Sequence, residues 1–232
     1  MNENPVEQSL TFDQVTSCEA IAQTSLLLGN YAMKMSAVER VPRYRTGERE
    51  NNAEHSYMLS LLAPALAAEA FPSLDCGLIA QFANVHDLVE TITGDVATFN
   101  ADAEMLANKA AREHEAQAIL NTKLDPYTAG MLNRYEAQEE PEARFVRMVD
   151  KLLPVVVDIH GQGERVLYED YGVKTPHDVV DAHEKLQERF YAMFPEFPDL
   201  LKAHRILSDQ FEALFTLNYD MPTMRRFAPT VG

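Results

Sequence analysis

Apolar residues recur at three- and four-residue spacing along most of the chain, over 12–37, 53–70, 76–92, 103–121, 126–139, 142–160, 177–193 and 197–217. That spacing gathers the apolar side chains of a helix onto one stripe, whereas a half-buried strand needs strict alternation. No convincing alternating segment is present, and no Asn-Gly or Asp-Gly pair marks a hairpin. The pattern predicts an all-α fold. Its breaks fall where backbone chemistry asks for them: from Arg40-Val41-Pro42 to Asn52, and at Phe71-Pro72-Ser73, Thr93-Gly94-Asp95, Asp125-Pro126 and Glu140-Pro141. Pro64 lies inside the second segment and is expected to kink it. A chain of 232 residues can bury one substantial core and carry a modest appendage. We expect a helical-bundle core over 1–165 and a C-terminal helical extension over 166–232 packed on it.

Three polar groups interrupt these apolar faces. The segment 76–92 carries Leu78, Ile79, Phe82, Val85 and Val89 on one stripe, with His86 on the same stripe and Asp87 at its edge. The segment 142–160 carries Val146, Val149, Leu153 and Val157, with Asp150 in their midst. His55 precedes Met58, Leu59 and Leu62 by about one turn, on the apolar side. A buried, unpaired carboxylate costs several kcal/mol, so two of them require a nearby cation. Arg or Lys could serve, but imidazoles arriving from the same apolar faces point to a metal ion. Neutral nitrogen with carboxylate oxygen suits one divalent ion, Co, Mn, Fe, Ni or Zn, or Mg, and the lack of thiolates argues against a closed structural zinc site. A single buried histidine is more often a hydrogen-bonded core residue, and a His-Asp pair arises by chance in many proteins. The metal reading rests on the whole set, each member on a predicted helix. Glu90 and Asp95 lie close by: Glu90 shares a helical face with His86 and Asp87, and Asp95 follows Gly94, where the helix must end. Either acid alone reads as a surface or turn residue; beside a metal they can move protons.

The formal net charge of -16 repels polyanions and argues against DNA or RNA as a partner. Against it, Arg40, Arg43, Arg45 and Arg49 fall within ten residues, although the chain has 13 arginines in all. Such a patch suits a small anion, or else a solvated loop paired with surface acids. No segment has the roughly 20 apolar residues of a membrane span, and the N-terminus shows no secretory pattern. Cys18 and Cys76 lie in predicted helices as reduced thiols. A cytoplasmic protein is expected.

In His55, His86-Asp87, Glu90, Gly94-Asp95 and Asp150 the chain resembles the HD superfamily, and within it the HD-domain 5'-deoxynucleotidases. The similarity runs from about Leu26 to His160. It includes Arg40-Val41-Pro42-Arg43, Ala53-Glu54-His55-Ser56, the KAAREHEA segment from Lys109 to Ala116, Arg134-Tyr135-Glu136 and Ala143-Arg144-Phe145-Val146. A bare His-Asp pair is weak evidence; the ordered series behind an arginine loop is strong. The resemblance implies an HD-domain helical bundle in which His55, His86, Asp87 and Asp150 hold one divalent ion. Glu90 would orient or activate water, and Asp95 would act near the leaving group or sugar. Arg40 would face the phosphate, with Arg43 and Lys109 as further substrate contacts. It also implies a deoxynucleotide substrate and a homodimer or higher homo-oligomer. Val41 stands where the bacterial enzymes have an aromatic residue, and the chain has no tryptophan, so base and sugar selection are left open.

The leading expectation is release of phosphate from deoxynucleoside 5'-monophosphates. A deoxynucleoside triphosphate hydrolase is the near rival, since extra arginines suit a longer phosphate tail. A non-catalytic nucleotide-binding or signalling domain is a third reading, and a nuclease a distant fourth.

Overall fold

The computed structural model of the protein describes residues 17–99 and 101–219. Helix follows helix: α1 (Ser17–Ser36), α2 (Asn52–Ala70), α3 (Cys76–Val85), α4 (Glu90–Thr93), α5 (Ala103–Asn121), α6 (Pro126–Ala137), α7 (Pro141–His160), α8 (Gly163–Glu169), α9 (Pro176–Met193) and α10 (Pro198–Tyr219). The expected all-α class holds. The first five residues of the 12–37 segment lie outside the described residues.

The helix starts are set by side chains that answer the free N–H groups of the first turn. Asn51 accepts from the Glu54 amide while the Glu54 carboxylate accepts from the Asn51 amide, a reciprocal cap that places His55 in the first turn of α2. Thr175 and Asp178 do the same for α9, behind Pro176. Pro126 and Pro141 open α6 and α7, where a missing N–H costs nothing. The α2 helix continues past Pro64 to Ala70.

Leu59 and Ala63 of α2, Ile79 and Phe82 of α3, Leu132 of α6 and Phe145 and Val149 of α7 are completely buried in one core. Phe190 of α9 and Leu200 and Leu201 of α10 join that core, and Phe197, between the two helices, meets Phe71 and Phe145 edge-on at 5.8 and 5.5 Å. A second, smaller cluster gathers Val155, Leu167, Val173, Val179, Phe211 and Phe215. The late helices thus share apolar contacts with the early ones. No helix among the described residues is long and apolar enough to cross a membrane. Cys18 and Cys76 are free thiols.

Two local features depart from the expected pattern, and both bear on the site. Between α1 and α2 the chain forms an antiparallel pair, β1 (Glu39–Arg43) and β2 (Arg49–Asn51), with an irregularity between the Glu39–Asn51 and Arg43–Arg49 pairings. Pro42 is tolerated because β1 is an edge strand. The segment 76–92 is also not one helix: α3 ends at Val85, and 86–89 form a tight turn before α4. The turn is closed by three-residue bonds, from Leu88 N–H to Val85 O at 3.1 Å and from Glu90 N–H to Asp87 O at 2.9 Å. Because such a turn advances the chain nearly as a helix does, the apolar spacing runs through it unbroken.

Candidate metal centre and cavity

His55, His86 and Asp150 converge from α2, the 86–89 turn and α7. One ligand atom from each lies within 4.8 Å of the others. His86 Nδ1–H donates to the Ala83 carbonyl at 2.8 Å, so that Nε2 faces inward. That nitrogen stands 3.0 Å from Asp87 Oδ2 and 3.8 Å from Asp150 Oδ1, is buried, and has no hydrogen-bond partner among the described residues. On the other side, His55 Nε2 lies 2.9 Å from Asp150 Oδ1, and Glu50 Oε2 stands 3.5 Å from His55 Nδ1. A carboxylate behind a histidine in this way fixes the ring and directs its other nitrogen toward a metal.

Electrostatics describe the same point. Burial and the charge of Arg40 work against protonation of His55, yet Asp150 and Glu50 outweigh them and lift its pKa to about 9. Burial of Asp87 is likewise outweighed by His86 and Arg40, which hold its carboxyl well below the usual range. Asp150 is also held well below that range, with Lys151 and His55 overcoming its burial. The centre therefore favours a cation between the two histidines and the two aspartates. Five carboxylates, Glu50, Asp87, Glu90, Asp95 and Asp150, meet three cations here, Arg40, Lys109 and Lys151. Carboxylates outnumber the cations, an acid-rich surrounding that suits a divalent ion. With a buried, unpartnered imidazole nitrogen aimed at two carboxylates, the residues fit that group.

Arg40 is the hub of the acids. Its Nε donates to Glu50 at 3.0 Å and its Nη1 to Asp87 at 2.9 Å, while Glu90 and Asp95 stand 3.8 Å from Nη1. Glu90 is buried, accepts from Asn52 Nδ2 at 2.8 Å and from Lys109 Nζ at 2.9 Å, and is pushed up to about 7 by burial and the charge of Asp87 against the pull of Lys109. Gly94, at φ 73°, makes the left-handed turn that ends α4 and brings Asp95 back to the cluster. Lys109 also pairs with Glu113 at 2.5 Å. Arg43 is not brought to this place: it pairs with Asp170 at 3.4 Å and Glu169 at 3.7 Å, at the end of α8. Arg49 is tied to Asp170 and to the carbonyls of β1. Of the four clustered arginines, only Arg40 lines the cavity.

Glu50 and Asn52, both completely buried, are site residues that the helical spacing did not reveal. Glu50 sits on a three-residue strand, too short to display alternation, and Asn52 follows Asn51, whose capping role hides a second polar neighbour. The remaining signal was position, between the arginine segment and His55.

The centre opens into a cavity of about 430 Å³, within the range of small-molecule sites. Glu90, Asp95 and Lys109 line it near the centre, and Phe99, Asp158 and Tyr171 line it further along α7. His183, Leu186, Arg189 and Phe190 of α9 and His204 of α10 also line it. Elements after residue 165 therefore form part of its wall.

Comparison with known proteins matches residues 32–199, more than two thirds of the chain, to the HD domain. The chain is a member of the HD domain family. The 5'-deoxynucleotidase HDDC2 of Danio rerio is 31% identical over 128 residues, covering 51% of this chain and 62% of that protein. The 5'-deoxynucleotidase VP0926 of Vibrio parahaemolyticus is 29% identical over 129 residues, covering 51% of this chain and 66% of that protein. The matched segment spans about three fifths of the length of the HDDC2 relatives. Among solved structures, a protein of Magnetospirillum magnetotacticum MS-1 described as a predicted metal-dependent phosphohydrolase is 27% identical, with a TM-score of 0.66. That likeness covers 90% of this chain and all of that one.

Proposed function

We propose that this HD-domain protein is a divalent-metal-dependent phosphomonoesterase that converts deoxynucleoside 5'-monophosphates into deoxynucleosides and phosphate. The observation that carries the reading is the convergence of His55, His86 and Asp150, with an unpartnered imidazole nitrogen, beside a raised Glu90 at the end of a nucleotide-sized cavity. The names of the HDDC2 and VP0926 relatives support the substrate class. In this reading His55, His86, Asp87 and Asp150 hold one ion, Co, Mn, Fe, Ni or Zn, or Mg. Bound there, a divalent ion neutralises phosphoryl charge and lowers the pKa of water.

The chain's own residues do the rest, which in phosphoryl transfer is mainly positioning and charge neutralisation. Glu90, near neutrality and steadied by Asn52 and Lys109, accepts a proton from the attacking water. Burial, against the charge of Arg40, raises the Asp95 carboxyl, which suits it to return a proton to the departing 5' oxygen. Arg40 offers its fork to the phosphate and Lys109 a second point charge. Residues 1–165 form the catalytic core in this reading, and 166–232 an extension that closes the cavity. The reading includes a cytosolic homo-oligomer; the exposed Ile21, Leu26 and Met33 of α1 and Tyr57 and Leu61 of α2 provide apolar surface for self-association, which light scattering checks.

One observation favours a second reading. Arg147, Lys151 and Arg189 also line the cavity and would suit a triphosphate tail. The deciding experiment offers deoxy- and ribonucleoside mono- and triphosphates with Mn or Co and identifies the product. Inorganic phosphate released from deoxynucleoside monophosphates alone is the expected result. Cleavage confined to triphosphates would transfer the protein to the triphosphohydrolases, and no turnover with any metal would leave a binding or signalling domain.

A further inference from the structure

Along α7, Asp150, Pro154 and Asp158 succeed one another at four-residue steps, and all three line the cavity. From Asp150 to Asp158 the helix rises roughly 12 Å. That is comparable to the reach of a nucleotide from its phosphorus to the far edge of its base. Phe99 and Tyr171 line the cavity beside Asp158, their rings in contact at 4.7 Å, and Val41 and Pro42 add small apolar wall. The charges of Asp158, Asp95 and Arg40 all act on the Tyr171 hydroxyl, so this end of the cavity adjoins the Arg40 cluster. Beside this wall Asp158 Oδ1 is buried and has no hydrogen-bond partner among the described residues. A buried, unanswered carboxyl oxygen in a ligand-sized cavity awaits a donor.

We infer that this end of the cavity is a nucleobase subsite, in which Phe99 and Tyr171 supply the aromatic wall and Asp158 is the specificity-determining residue that reads the edge of the base. The inference deepens the nucleotidase reading and rests on its substrate class. Burial and the charge of Glu50 push the Asp158 carboxyl up to about 8. At neutral pH it therefore presents an O–H donor beside a C=O acceptor. That pair complements an edge with an acceptor next to a donor, as adenine, cytosine and thymine carry. Guanine carries the same pair at O6 and N1–H, so this contact separates a base from no base rather than one base from another.

The test compares wild type, Asp158→Asn and Asp158→Ala in kcat/KM for the four deoxynucleoside monophosphates and for 2-deoxyribose 5-phosphate, which lacks a base. Binding of the four deoxynucleosides is measured by calorimetry alongside. The expected result is a fall of about tenfold in the ratio of nucleotide to sugar phosphate kcat/KM for Asp158→Ala, the size of one or two lost hydrogen bonds. Asp158→Asn, which keeps a donor beside an acceptor, should hold the ratio within about threefold. A purely structural Asp158 would scale both substrates alike, so an unchanged ratio in Asp158→Ala overturns the inference. An Asn variant as impaired as the Ala variant, or a wild type that binds no deoxynucleoside, overturns it too. Deoxynucleoside binding that depends on Asp158, without hydrolysis of any monophosphate, would refute the nucleotidase reading and leave the base subsite standing.

Discussion

At the residue scale, two acids of the proposed metal centre have separable roles. Asp150 Oδ1 faces both His55 and His86, so Asp150→Ala removes the group common to the two imidazoles. Metal content, measured by elemental analysis, and phosphatase activity should fall together, activity by at least about a thousandfold. Retained activity without Asp150 would sink the ligand assignment. Glu90 instead faces Asn52, Lys109 and Arg40, so Glu90→Gln should keep the metal and lose turnover by roughly a hundredfold, the usual scale of a positioned proton acceptor. A metal-free Glu90→Gln protein would move Glu90 into the coordination shell. His55, His86 and Asp150 were legible because each breaks an apolar stripe, and burial of a polar group needs a reason. Glu50 and Asp158 were not. The first lies on a strand of three residues, and the second stands one position from Val157, beside the apolar stripe rather than on it.

At the element scale, the hairpin is the part of the site that periodicity could not supply. It holds Arg40 and Glu50, yet its strands are five and three residues long and one contains Pro42. The same limit hid α8, seven residues between two longer helices, and the turn after α3, whose spacing imitates a helix. What anchors the hairpin is the end of α7. Gln162 N–H donates to the Arg43 carbonyl at 3.0 Å and Gln162 Nε2 to the Arg45 carbonyl at 3.0 Å. Gly161 permits this approach, since a Cβ there would lie 2.0 Å from Arg43 O and 2.7 Å from Val157 O. Both obstacles are backbone, so neither can swing aside. Gly161→Ala should destabilise the protein by about 2 kcal/mol or more in denaturant titrations. It should also weaken phosphatase kcat/KM more than a surface substitution of equal stability cost, because β1 carries Arg40. A variant with unchanged stability would show that β1 is free to yield.

At the scale of the whole molecule, two buried histidines of the late helices, His183 and His204, line the cavity and titrate with folding. His204 Nδ1–H donates to Gln187 Oε1 at 2.8 Å, and Gln187 Nε2 donates to the Leu201 carbonyl at 2.9 Å, joining α9 to α10. Burial, helped by the charges of His183 and Arg205, lowers the His204 pKa from 6.5 to about 4. Between those values the unfolded chain binds a proton at this site and the native protein does not, so stability falls as pH drops from 6.5 toward 4. The total is about 3 kcal/mol. Asp158 acts oppositely: its native carboxyl, at about 8, holds a proton that the unfolded chain releases above 3.8, so stability falls as pH rises across that window. The two slopes nearly cancel between pH 4 and 6.5, which would conceal both in the wild-type curve alone. His204→Asn separates them, because the Asn amide lies near the position of Nδ1 and can still donate to Gln187 while carrying no titrating proton. Wild type minus variant stability, from urea unfolding at a series of pH values, should decline by about 3 kcal/mol between pH 7 and pH 4. Charges far from His204 drop out of that difference. Parallel curves would mean that His204 takes up its proton in the native state as readily as in the unfolded chain, and that the contact between α9 and α10 opens to water without global unfolding.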